Sequence, residues 1–118
     1  MANPFVHVEL ATTDLERAKE FYGQLFSWKL EDTQMPVGTY TTVSPGDGTG
    51  GGMMTQLMEG AGSAWLPYVI VDNIRESTDK AKALGATIQR DVTEIPGMGS
   101  YSILTDPTGA AIGLWQMA

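Results

Sequence analysis

The stretch Thr13-Asp14-Leu15-Glu16-Arg17-Ala18-Lys19-Glu20-Phe21-Tyr22-Gly23-Gln24-Leu25-Phe26-Ser27-Trp28 decides how this chain folds. Leu15, Ala18, Phe21, Tyr22, Leu25 and Phe26 recur at three- and four-residue steps, which places them on one face of a helix of roughly three turns. Thr13 with Glu16 three residues later reads as a capping box at its start. The aromatic residues Phe21, Tyr22 and Phe26 are expected in the core, because that face has to cover a sheet. Upstream, Phe5-Val6-His7-Val8-Glu9-Leu10-Ala11 alternates, with Val6, Val8 and Leu10 on one side and His7, Glu9 and Ala11 on the other. Period two is the signature of a strand.

Downstream of Phe26, three short strands are expected: Trp28 to about Gln34, Thr39 to Ser44, and Gly51 to about Leu57, with a turn at Pro45-Gly46-Asp47-Gly48. Glu59 to Ser63 has the composition of a linker. The plan then repeats. Trp65 to Val71 is a strand, and Asn73 with Glu76 starts a second helix. Ile74, Ser77, Thr78, Ala81 and Leu84 form its inward face, and Gly85 ends it in the position favoured for left-handed geometry. Strands follow at Thr87 to Val92, Ser100 to Thr105 and Ala110 to Gln116, the last two joined by the turn Asp106-Pro107-Thr108-Gly109. The chain is therefore α+β, a single domain over residues 1–118 built of two βαβββ modules, 1–58 and 64–118. The copies align as His7 with Leu66, Glu9 with Tyr68, Tyr40 with Tyr101 and Gly52 with Gly113.

Composition narrows the function. Of 118 residues, 42% are hydrophobic, enough for a core. Seven Lys and Arg face fourteen Asp and Glu, a formal charge of −7 that repels a phosphate backbone, so nucleic acid is not an expected partner. Cysteine is absent, which rules out disulfides, thiolate nucleophiles and Cys-based metal sites. The N-terminal residues show neither a basic region nor a long apolar run, and no stretch approaches the ~20 apolar residues of a membrane span. A soluble, cytoplasmic protein without a membrane partner is expected. The run Gly46 to Gly52 lacks the Lys-Ser/Thr ending of a phosphate loop and does not open a helix.

The pattern of a His-bearing first strand followed by Thr13-Asp14-Leu15, Ala18, Phe21-Tyr22, Leu25-Phe26 and Trp28 resembles the glyoxalase/bleomycin-resistance/dioxygenase (vicinal oxygen chelate) superfamily. So does the second half, with Tyr68 to Ala86 and then Asp106-Pro107-Thr108-Gly109 to Leu114-Trp115. The likeness covers essentially the whole chain. It implies that each βαβββ unit is a curved half-sheet and that two units form a cupped, incomplete barrel. It also implies four metal-ligand positions, on the first and last strand of each unit. Here these are His7, Leu66, the Gly52 region and Gly113, so His7 alone keeps a ligating side chain. A catalytic divalent site needs about three protein ligands. As His7 is also the only histidine, a two-His iron triad is excluded from one chain.

Period two puts Glu9 on the face of His7, and the pair is the candidate acid/base or anchoring group of the cup. Met54 and Gln56 share the face of Gly52, Tyr68 that of Leu66, and Trp115 that of Gly113. These four are the candidate ligand-binding residues of a mostly apolar pocket, or alternatively its core filling. The expected function is small-molecule binding around His7 and Glu9, with no resident cofactor. The alternatives are a lyase or isomerase related to lactoylglutathione lyase, using His7 and Glu9 with or without a weakly held divalent metal, and a non-catalytic subunit or regulatory module. Open half-sheets leave edges to cover, so a homodimer is expected.

Overall fold

A computed structural model describes residues 2–36 and 38–118. Its elements run β1 (Phe5–Thr12), α1 (Leu15–Leu25), β2 (Lys29–Met35), β3 (Gly38–Ser44), β4 (Gly51–Thr55), β5 (Ala64–Ile70), α2 (Ile74–Ala83), β6 (Thr87–Ile95), β7 (Gly99–Thr105) and β8 (Ala111–Met117). The α+β class and the βαβββ-βαβββ order are those expected. By contacts the chain divides into an N-terminal unit, residues 7–66, and a C-terminal unit, residues 67–118 together with 1–6. The first residues join the latter because Pro4 O accepts from Ile70 N at 3.1 Å and Asn3 Nδ2 donates to Ile70 O at 2.9 Å.

In the N-terminal unit the strands lie in the order β2-β3-β4-β1. β1 runs parallel to β4, with Glu9 opposite Gly52, and β3 is antiparallel to both β4 and β2. Alternation sends Leu10, Val43 and Met53 to one face, where they are buried beneath Leu15, Ala18 and Tyr22 of α1 and beside Trp28 and Leu30. Phe21 and Phe26 are not in this core: they are 56% and 44% exposed. An eleven-residue helix lays only a narrow stripe on a half-sheet. Phe21 lies roughly 60° round the helix from Ala18, and Phe26 is already the extended C-cap residue. The cap at the other end also differs from the expected Thr13–Glu16 box. Asp14 is the N-cap, its carboxylate accepting from Arg17 N at 3.1 Å, while Thr13 N donates to Ser63 Oγ at 3.0 Å. Asp and Thr compete closely for this position, and Ser63 draws Thr13 away.

In the C-terminal unit the order is β5-β8-β7-β6. β5 is parallel to β8, with Tyr68 opposite Gly113, and β7 is antiparallel to both β8 and β6. α2 begins at Asn73, whose side chain accepts from Glu76 N at 3.0 Å, and buries Ile74 and Thr78. Thr78 Oγ1 shares a 2.9 Å hydrogen bond with the equally buried Ser102 hydroxyl. Gly85 takes φ +105 just past the helix, as its place in the sequence requires. Leu84, expected on the inward face, is 70% exposed, because the helix ends at Ala83 and Leu84 has left its path. β6 outruns its expected end at Val92, carrying two register irregularities on the way to Ile95.

Met53 is fully buried and Leu84 is not. Denaturant unfolding should show Met53→Ala losing about 2–5 kcal/mol, while Leu84→Ala stays within about 0.5 kcal/mol of the parent.

Candidate functional site

The cross-strand register repeats between the units and lays out the site. Glu9 faces Gly52 and Tyr40 faces Met54 in one; Tyr68 faces Gly113 and Tyr101 faces Trp115 in the other. In the N-terminal unit, the β1 alternation sends His7 and Glu9 to the face away from Leu10. Tyr40, on β3, arrives on that same face diagonally across from Gly52, whose direct partner on β3 is Thr42.

The Tyr40 hydroxyl is the centre of the cluster. It lies 2.8 Å from His7 Nε2 and donates to Glu9 Oε1 at 3.0 Å. The single phenolic proton is then committed to Glu9, so His7 Nε2 must be the donor in the first bond. This fixes the imidazole proton on Nε2. The two rings lie nearly parallel, 19° apart with centroids 6.5 Å apart. His7 Nε2 and Glu9 Oε1 are 3.9 Å apart, with side chains 34% and 16% exposed. Burial holds the His7 imidazole below its ordinary value of 6.5. The Glu9 carboxylate opposes this, yet the net direction is down. At neutral pH the ring is uncharged, and its link to Glu9 runs through the phenol rather than through an ion pair.

Gly52 makes this possible. It is buried, and a Cβ there would overlap the Tyr40 hydroxyl and ring. In the C-terminal unit, a Cβ on Gly113 would overlap the ring of Tyr68. Tyr68 is buried and meets Tyr101 edge-on, with centroids 6.5 Å apart. Each glycine at a last-strand position is thus covered by a tyrosine.

Among the other residues singled out by sequence, Met54 is half-buried on the Tyr40 face. Trp115 is half-buried against Gly99, where a Cβ would crowd its indole. Gln56 lies beyond the end of β4. Its Nε2 donates to Gly62 O at 3.0 Å and its Oε1 accepts from Met58 N at 3.1 Å, so its amide ties down the following loop. Tyr40 is the member of this cluster that sequence alone passes over. Its signal was an aromatic residue in alternating strand Thr39–Ser44, next to a strand whose glycine has no side chain to fill its own space.

The four metal-ligand positions do not fit a divalent ion. Among the described residues no three His, Cys, Asp or Glu side chains gather as a metal-binding group, and the space over Gly52 holds a phenol.

The model of the Glyoxalase/Bleomycin resistance protein/Dioxygenase superfamily matches residues 5–114, and the chain belongs to that superfamily. It is 36% identical over 121 residues to a Mycobacterium tuberculosis protein named "Putative glyoxylase CFP32", covering 92% of this chain and 44% of that one. It is 22% identical over 123 residues to the anthracycline biosynthesis protein DnrV of Streptomyces peucetius, covering 92% and 45%. The chain therefore spans less than half the length of these curated relatives. Among solved structures, hypothetical protein BH1468 of Bacillus halodurans superposes with TM-score 0.74 at 17% identity, covering 100% of this chain and 96% of that one. A methylmalonyl-CoA epimerase variant of Streptomyces coelicolor, in complex with 2-nitronate-propionyl-CoA, gives 0.72 at 14%, covering 100% and 99%. At such identities the likeness is one of fold.

As the only histidine, His7 gives a single imidazole titration by NMR. Its midpoint should fall below 6.5; a midpoint at or above that value contradicts the placement. The unfolded chain binds this proton more tightly than the folded one. Stability should therefore hold above pH 6.5 and fall as the pH drops below it. His7→Gln should remove that part of the pH dependence.

Proposed function

We propose that this domain binds a small organic molecule on the His7–Tyr40–Glu9 face without a resident metal. The observation that carries the reading is the phenol held between an imidazole and a carboxylate. These are a few convergent polar groups, half-buried beside Met54 on an otherwise side-chain-poor surface at Gly52, which is the make-up of a small-molecule site. Fixed hydrogen bonds pre-organise the trio, so a ligand meets donors and acceptors already oriented.

The test is a thermal-shift screen with small cationic compounds and glutathione conjugates, run after dialysis against chelator. Compounds that raise the melting temperature should do so equally with and without chelator, and should lose at least about tenfold in affinity in Tyr40→Phe and Glu9→Gln, as expected for a lost hydrogen bond to a charged group. Binding that needs added Zn²⁺ or Mn²⁺, or that survives both substitutions, overturns the proposal.

A second reading is favoured by the depressed His7 proton affinity: a neutral imidazole next to a carboxylate suits acid/base catalysis of a lyase or isomerase type. Turnover of the methylglyoxal–glutathione hemithioacetal by metal-free protein, abolished in His7→Ala, is the result that would favour it. The expected homodimer belongs to the same proposal, since β2 and β6 each have one strand neighbour and leave an open edge. Sedimentation equilibrium should report twice the chain mass.

A further inference from the structure

The opposite face of β1 carries a second site, independent of the His7–Tyr40–Glu9 cluster. Beside Val8, at the end of the N-terminal unit's sheet, a cavity of about 270 Å³ opens between Trp28, Trp65 and Pro45. Both indoles border it, at 80° to each other with centroids 6.3 Å apart. Both are held. Trp65 Nε1 donates to the Tyr22 hydroxyl at 3.3 Å, and Trp28 is flanked by Tyr22 at 5.7 Å and Phe26 at 4.7 Å between centroids.

The glycine-rich run supplies the floor, through Gly50 and Gly51. Gly51 is required by packing, because a Cβ there would overlap the Val8 carbonyl. Gly50 is not. A Cβ on it would meet only the Val43 carbonyl, at 3.4 Å, and its backbone lies outside the left-handed region. Nothing in the backbone demands glycine at 50; what its missing side chain does is keep the cavity open.

We propose that this cavity binds a quaternary ammonium group. Indole faces attract cations, and the net charge of −7 draws cations to the chain and repels anions. The type of cation follows from the lining, in which, among the described residues, the Thr49 hydroxyl is the only side-chain acceptor, the two indole N–H groups being donors. A primary ammonium would bring three N–H donors into a place with almost nothing to accept them, which is costly. A quaternary ammonium has no N–H to satisfy and presents only methyl groups to the rings.

The test is a titration with choline, followed through the ¹⁵N–¹H resonances of the indoles, with 3,3-dimethylbutan-1-ol as the uncharged isostere. Choline should shift Trp28 and Trp65 saturably and leave Trp115, in the other unit, unmoved. The alcohol should bind about tenfold or more weakly, the difference being the cation–π contribution. Gly50→Leu, which fills the floor, should abolish the Trp28 shift. Trp65→Ala, at a residue already 39% exposed, should do the same should the leucine variant fail to fold. Equal affinity for the alcohol, a Trp28 response that survives Trp65→Ala, or no saturable shift overturns the proposal.

Discussion

The candidate site depends on a missing side chain. Gly52 sits buried in β4, and the Tyr40 hydroxyl occupies the place where its Cβ would be. Any other residue at this position would drive the phenol off His7 and Glu9, and the two would lose the group that joins them. The same constraint recurs at Gly113, where the ring of Tyr68 fills the space. These placements follow from strand register: pairing Tyr40 with Met54, two residues along β4 from Gly52, and Tyr68 with Gly113 brings each glycine beneath its tyrosine. A one-residue slip would turn each tyrosine to the other face.

The chemistry follows from that packing. A phenol has one proton, and the Tyr40 hydroxyl donates it in a hydrogen bond to Glu9. His7 therefore has to donate from Nε2, and burial keeps the ring neutral. The cluster is a directed chain of hydrogen bonds, imidazole to phenol to carboxylate, with its only formal charge at the Glu9 end. In a superfamily whose metal-dependent members assemble ligands on these strands, this chain places a tyrosine where another ligand would have to reach. Its polarity is that of a set of oriented hydrogen-bonding groups.

The architecture was legible because it rests on local rules. Alternation through Phe5–Ala11, the Asn73–Glu76 helix start, Gly85 and the Asp106–Gly109 turn each mark an element where the structure has one. The intramodule pairing of Glu9 with Gly52 and of Tyr68 with Gly113 has the form that the repeat alignment implies. The readings that failed depended on tertiary neighbours. Helical periodicity marks Phe21 and Phe26 as apolar, but not how narrow a stripe the half-sheet would cover. Thr13 and Asp14 are both good caps, and Ser63, fifty residues away, separates them. That the Gln56 amide would bond Gly62 of the following loop was equally beyond local pattern. Tyr40 escaped notice because its importance lies in a cross-strand void, visible only once β3 and β4 are in register.

The most direct test of this account is the ¹⁵N spectrum of the His7 imidazole above its titration midpoint, in the parent protein and in Gly52→Ala. In the parent, the Nε2–H tautomer should dominate. In Gly52→Ala, with the phenol displaced from the space above residue 52, that preference should weaken and the titration midpoint should shift. A parent spectrum dominated by the Nδ1–H tautomer, or a Gly52→Ala spectrum indistinguishable from the parent in a folded protein, would contradict the claim that Gly52 makes room for the hydroxyl that organises the site.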